Sequence, residues 1–338
     1  MRRRGSRLKR KGNAFISDWD SRNTIGSVSA SNQIRLPLQA SGTYNFDVDW
    51  GDGTTNTITS YNQSEILHTY SVSGLYTITI TGVCTGWSFG SSNLGGDANK
   101  FLNVQKWGLL KLTSTGGYFR YCRNLDLSTV TDVLDLNGTT TLTDMFLGCT
   151  NLLAVNRINE WDVSTVISCV RTFQDCTNFN SDISSWNVSN VTGFTSFLYK
   201  ALNFNSDLSS WNVSSAANMQ NMFYDCTLLQ SSFTNWNVAN VSNFIKTFRG
   251  CQNINAASIY GWNVSNATNI DGFFENLTPT HHPSSVLDAI YNGWAQLTLK
   301  PNVTAKFGTL KYTSASSSNR AILTGSPNNW IITDGGII

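Results

Sequence analysis

Trp186-Asn187-Val188-Ser189 is one copy of a unit that recurs along the chain. Trp161-Asp162-Val163-Ser164 stands 25 residues before it, Trp211-Asn212-Val213-Ser214 and Trp236-Asn237-Val238 follow at the same step, and Trp262-Asn263-Val264-Ser265 comes one residue late. A fixed period of this size marks small supersecondary units that cannot bury their own apolar face and must stack on one another.

More columns share the register. Twelve residues after each tryptophan come Phe173, Leu198, Phe223, Phe248 and Phe274, and three residues further on Cys176, Ala201, Cys226, Cys251 and Leu277. Two weaker copies precede these, one with Leu134, Phe146 and Cys149, the other with Trp107, Phe119 and Cys122. The register predicts seven rungs of 25–27 residues between about residues 100 and 280. A buried tryptophan hides roughly 150–250 Å², or roughly 4–6 kcal/mol gross per rung, much of it offset by the entropy of ordering the chain. The Asn, Asp, Ser and Thr residues between the columns suit tight corners, because their side chains bond nearby backbone groups. The expected fold is mainly β, with a leucine-rich-repeat-like solenoid whose ladder is Trp107, Trp161, Trp186, Trp211, Trp236 and Trp262, with the Phe and Cys columns beside it.

Composition agrees with extracellular-type β structure: of 338 residues only 13% are charged. The net charge of +2 is unevenly divided, for Arg2, Arg3, Arg4, Arg7, Lys9, Arg10 and Lys11 leave 16 basic against 21 acidic residues in the remainder. Residues 1–14 read as a basic arm. It is either a solvated tail or an anchor on nucleic acid or on an acidic protein surface. No apolar run is long enough to span a membrane. The arm is not followed by the apolar stretch of a secretory signal. Seven cysteines occur. Five hold one rung position, which suits a reduced, buried ladder, and no CxxC pair points to zinc.

Residues 15–86 read as a β domain. Tyr44, Phe46, Val48 and Trp50 alternate strictly, and a second alternating run is Tyr76, Ile78, Ile80. Trp50-Gly51-Asp52-Gly53, with His68-Thr69-Tyr70 and the run from Gly74 to Ile80, resembles a PKD domain. That family is an immunoglobulin-like β-sandwich of cell-surface proteins and an accessory module of secreted enzymes. The resemblance implies structural turn roles for Asp52 and His68. Asp49 and Asp52 are a weak calcium candidate. Residues 87–106 read as a linker to the repeats.

The pattern from Phe179 to Val191 is similar to the BspA-like, mycoplasma-lipoprotein-type leucine-rich repeat. Thr172, Phe197 and Thr247 depart from its usual methionine. The resemblance implies adhesion and surface display, and brings no catalytic residues. Asn187, Asn190, Asn212, Asn240, Asn263, Asn266 and Asn302 begin Asn-x-Ser/Thr triplets, but most fall at fixed repeat positions that explain them without sugar. Residues 281–338 read as a small α+β cap, with a helix from Ser284 through Trp294 and short strands near Tyr312, Ala321–Leu323 and Trp330–Ile332. His281-His282-Pro283 reads as a loop beside the cap.

No hydrolase, metalloprotease, P-loop or dinucleotide motif occurs. Asp182 and Asp207 share one column, as glycosidase carboxylates might, but their recurrence with the repeat favours a structural corner. The chain therefore reads as a non-enzymatic protein without cofactor or metal. The first expectation is a structural, decoration or adhesion protein of a phage virion, assembled in the host cytoplasm. Its arm would anchor on capsid or tail proteins, or contact nucleic acid, and its repeats would bind host glycan or protein. The alternative is a BspA-like adhesin on the bacterial cell surface. A glycan-active enzyme with an accessory PKD module is the remote third.

Overall fold

The computed structural model describes residues 13–90, 96–280 and 282–338. By internal contacts it separates into two units, Met1–Thr165 with Asp175–Ser181, and Val166–Gln174 with Asp182–Ile338.

The first unit holds β1 (Phe15–Asp20), β2 (Gln33–Arg35), β3 (Leu38–Asp49), β4 (Thr55–Ile58), β5 (Leu67–Thr69), β6 (Leu75–Trp87), β7 (Phe101–Lys106) and β8 (Leu110–Lys111). Alternation along β3 buries Tyr44, Phe46 and Val48 and exposes Asn45, Asp47 and Asp49, because successive strand side chains point to opposite faces. The long β6 organises the sheet. It pairs antiparallel with β3 from Asp49↔Thr79 to Leu38↔Trp87 and with β1 from Phe15↔Ile80 to Asp20↔Leu75, while β8 runs parallel to it at Cys84 and Thr85. β4 flanks β3, and β7 flanks β1 within the stretch read as a linker. Gly82 is required here. Its φ is +121°, and a Cβ would meet the Asn45 carbonyl oxygen at 2.5 Å.

The expected immunoglobulin-like sandwich is not formed. Among the described residues of this unit, eight strands give one six-stranded sheet and a separate two-stranded pair, β2 with β5. Chemistry explains the single main sheet. One face carries a continuous aromatic cluster in which Trp87 meets Phe15 at 5.0 Å and Trp19 meets Phe101 at 4.8 Å. The other face presents Asn45, Asp47 and Asp49 to solvent and carries only isolated apolar side chains such as Val83 and Leu75, too little to bury against a second sheet.

The seven-rung solenoid is corrected as well. Between Lys111 and the helix that begins at Ser285, among the described residues, extended pairing shrinks to isolated parallel bridges and the chain is built of turns and two short 3-10 helices, Ile158–Glu160 and Ala256–Ile259. The copies are also divided between the two units. Backbone conformation is the reason. In the second unit Arg171, Ser196, Asn221 and Lys246 have φ of 53°, 54°, 55° and 52°, and Lys200, Asp225 and Gly250 follow four residues after the last three with φ of 59°, 57° and 72°. Two left-handed residues four positions apart within a copy interrupt the extended backbone that a strand needs. The same pair recurs in the first unit at Gly117 and Tyr121 and at Asp144 and Gly148.

Hydrogen bonds still join neighbouring copies. In the second unit the N–H groups of Phe194, Ser196, Leu198 and Lys200 donate to the carbonyls of Asn218, Gln220, Met222 and Tyr224, at 2.7–3.0 Å. Single bridges link Ser168, Gly193, Asn218, Asn243 and Asn269 in turn. After the last copy come α1 (Ser285–Trp294), β9 (Thr304–Lys306), α2 (Ser317–Thr324) and β10 (Ile331–Thr333). β9 and β10 pair in parallel and Ala305 bridges Ile270. Ala321–Leu323, expected as a strand, lies in α2. Among the described residues no helix is long and apolar enough to cross a membrane.

Candidate binding face

Each copy turns on an aspartate or asparagine whose side chain accepts the N–H two residues on. Asp182 and Asp207 do this with Ser184 and Ser209, Asn187, Asn212, Asn237 and Asn263 with Ser189, Ser214, Ala239 and Ser265, and Asn218, Asn243 and Asn269 with Gln220, Ile245 and Asp271. These Asx turns hold the triplet asparagines Asn187, Asn212 and Asn263 as structural acceptors.

Trp107, Trp161, Trp186, Trp211, Trp236 and Trp262 are buried, as are Phe119, Phe146, Phe173, Phe223, Phe248 and Phe274. In the second unit Trp236 lies between Trp211 and Trp262, at 6.5 and 6.2 Å and nearly parallel to both. Its indole N–H donates to the Leu208 carbonyl. In the first unit Phe119 stacks on Phe146 at 5.6 Å. Cys122, Cys149, Cys176, Cys226 and Cys251 are free and buried. The thiols of Cys149, Cys176, Cys226 and Cys251 donate to the carbonyls of Phe119, Phe146, Leu198 and Phe223. Burial pushes all five thiols up, which makes them inert. These residues fill the interior of the copies and offer nothing to a ligand.

What the copies turn outward in the second unit is different. Tyr199 and Tyr224, one repeat apart, stack with ring centroids 4.4 Å apart and planes inclined by 26°. The Arg249 guanidinium lies 4.6 Å from the Tyr224 ring centroid, and its Nε is 2.9 Å from Glu275 Oε2. The Lys200 ammonium lies 5.5 Å from the Tyr199 ring. Beside this row the Asp225 carboxylate accepts no hydrogen bond from the described residues. Burial raises its pKa, against the pull of Lys200. Gly250 makes room for this carboxylate, since a Cβ there would meet Asp225 Oδ1 at 2.1 Å. Tyr199 and Tyr224 repeat at the same 25-residue step as the tryptophans. That step was the available signal, but only two copies carry it.

Asp182 and Asp207 behave differently. Asp207 lines a shallow groove of about 330 Å³ with Asn205, Ser209, Gln230, Ser231 and Ser232. The Ser209 N–H holds the Asp207 carboxyl below its ordinary range, and the Ser184 N–H does the same for Asp182. A glycosidase needs one carboxyl raised to serve as the acid. In the first unit Asp52 accepts from Thr54 and contacts His68 Nε2 at 2.8 Å, while His68 stacks on Trp50 at 4.6 Å, which ties the turn after β3 to β5. His282 is buried and His281 lies outside the described residues. No group of three or more His, Cys, Asp or Glu able to hold a metal occurs among the described residues. The arm residues Arg2, Arg3, Arg4, Arg7, Lys9, Arg10 and Lys11 lie outside the described residues as well.

Comparison with curated proteins and with solved structures finds no match. A family described as Mycoplasma protein of unknown function, DUF285, matches residues 113–236 and 211–289. Those two segments overlap, take in every full copy of the tryptophan unit, and cover more than half of the 338 residues. The chain therefore belongs to the DUF285 family of Mycoplasma proteins of unknown function.

Proposed function

We propose that this chain is a non-catalytic display protein of a cell surface, binding through the side chains that its repeats turn outward. One observation carries this reading, the Tyr199–Tyr224–Arg249 row, where identical backbone turns place aromatic and cationic side chains in file. Such a row arises because neighbouring copies, joined by backbone hydrogen bonds, turn the same position outward. Membership of a mycoplasma-type repeat family and the resemblance of Phe179–Val191 to BspA-like repeats both support display on a cell.

The virion reading, with its capsid or tail partners, gains nothing from the family match, and its anchoring arm lies outside the described residues. The enzyme reading would need a raised carboxyl at Asp182 or Asp207, where both are held low.

The test is protease shaving of intact cells of the source organism, followed by fractionation. A displayed protein is cut before the cells lyse and stays with the envelope fraction. Survival of the full chain until lysis, or polysaccharide turnover lost in Asp207→Asn, would refute the reading.

A further inference from the structure

The row has a chemistry that narrows its ligand. Lys200 is exposed and Lys246 half-buried, and no carboxylate forms an ion pair with either ammonium among the described residues. Lys246 is nevertheless tied to the row, because a Cβ on Gly272 would meet both Lys246 Cγ, at 2.8 Å, and Glu275 Oε2, at 3.2 Å. Glu275 in turn pairs with Arg249, which covers Tyr224. Glu275 is thus matched by Arg249, and two ammoniums remain against the single carboxylate of Asp225. This lies in a chain whose residues beyond the arm are acidic on balance.

Stacking covers one face of each phenol, and the Arg249 guanidinium lies over the Tyr224 ring. A ligand rich in hydroxyls finds partners here, because phenol hydroxyls can donate and accept, and Asp225 can accept. Copies joined by parallel bridges stand about 4.8 Å apart, so Lys200 and Lys246 are spread along the row. A polymer lying along the row meets both.

Building on the display reading, we propose that the Tyr199–Tyr224 row, with Lys200, Lys246 and Asp225, binds an anionic polysaccharide lying across the copies. Its carboxylates or sulfates would pair with the two lysines, and its hydroxyls would bond Asp225 and the phenols.

The experiment uses the full chain with the seven arm residues Arg2 to Lys11 changed to serine, so that the arm cannot bind polyanions itself. Titration calorimetry measures binding to hyaluronate and heparin, with dextran as the neutral polymer and polyglutamate as the charge-only polymer. Expected is binding to at least one anionic polysaccharide, ten-fold or more weaker in Lys200→Glu/Lys246→Glu and several-fold weaker in Asp225→Asn. Dextran and polyglutamate should bind at least ten-fold more weakly. Lys200→Gln/Lys246→Gln serves if the charge reversal perturbs the tryptophan fluorescence. Three results would overturn the proposal: no binding to either anionic polysaccharide, binding indifferent to the lysine changes, or polyglutamate binding as tightly. Binding of dextran or of a protein through the same row would also overturn it, while leaving display intact.

Discussion

Lys100 is the most demanding single residue of the first unit. It is fully buried, and its ammonium donates to the carbonyls of Ser29, Ala30 and Gln33 and to the Ser29 hydroxyl. That hydroxyl passes the contact on to the buried carboxylate of Asp97, which also accepts the Arg35 N–H. Burial lowers the Lys100 pKa, partly countered by Asp97. Buried charges survive only when paired and hydrogen-bonded. Lys100→Met keeps the bulk of the side chain but strands three carbonyls and leaves Asp97 without its counter-charge. Removing one partner of such a network costs about 3–5 kcal/mol. Urea unfolding of the full chain should show that loss, and a loss under about 1 kcal/mol would mean that water replaces the ammonium. None of this was legible in the sequence. Lys100 sits in a glycine- and serine-rich stretch that reads as a connector, and its partners lie about seventy residues away.

At the scale of the element, the repeat register was legible and the element type was not. Columns such as Trp211, Trp236 and Trp262 announce themselves because like side chains recur at one step, and they end in the interior. The backbone between them is hidden, because left-handed positions are filled by Arg171, Ser196, Asn221 and Lys246 rather than by glycine. Arg171 and Lys246 carry no turn signature, and Ser196 and Asn221 share their column with them, so the left-handed turn could not be read from residue type. The polar corners could be read, since Asn and Asp cap turns in any context. The outward row could have been read from Tyr199 and Tyr224, but two copies do not stand out against six tryptophans. The left-handed positions give a direct test. Asn221 has φ 55° and no hydrogen bond from its side chain among the described residues. Asn221→Val forces a β-branched residue into that region, at about 1–3 kcal/mol. Asn221→Gly removes the conflict and should be neutral or slightly stabilising, net of added chain entropy. Thermal melts of the two variants should diverge in that order. Equal melts would mean that the position is not left-handed in solution.

Over the whole molecule the turns share one electrostatic habit, and it fixes the response to acid. Asp20, Asp52, Asp135, Asp162, Asp182, Asp207 and Asp288 are all held below the ordinary carboxylate range. The leading cause at Asp135, Asp182 and Asp207 is a backbone N–H two residues on. Burial is the largest influence at Asp52 and Asp288 and works upward, but hydrogen bonds from Thr54 and His68, and from Ser316 and Thr313, outweigh it. A carboxyl whose folded pKa is depressed contributes stability that is fully present above its unfolded value, about 3.9. That stability is lost as pH falls through the folded value. Asp225 is raised and runs the other way, its cost relieved as pH falls. With Glu65 and Glu160, which are lowered as well, nine depressed carboxyls stand against one raised carboxyl, so acid must destabilise the fold, and both units hold depressed groups. Melting temperature, followed by tryptophan fluorescence, should be flat from about pH 7 to 5 and fall steeply below about pH 4. Asp182→Asn/Asp207→Asn should lower the neutral plateau and shrink the drop between neutral and acid, because two of the titrating groups are gone. An unchanged acid drop in that variant would place the sensitivity elsewhere than in the repeat corners.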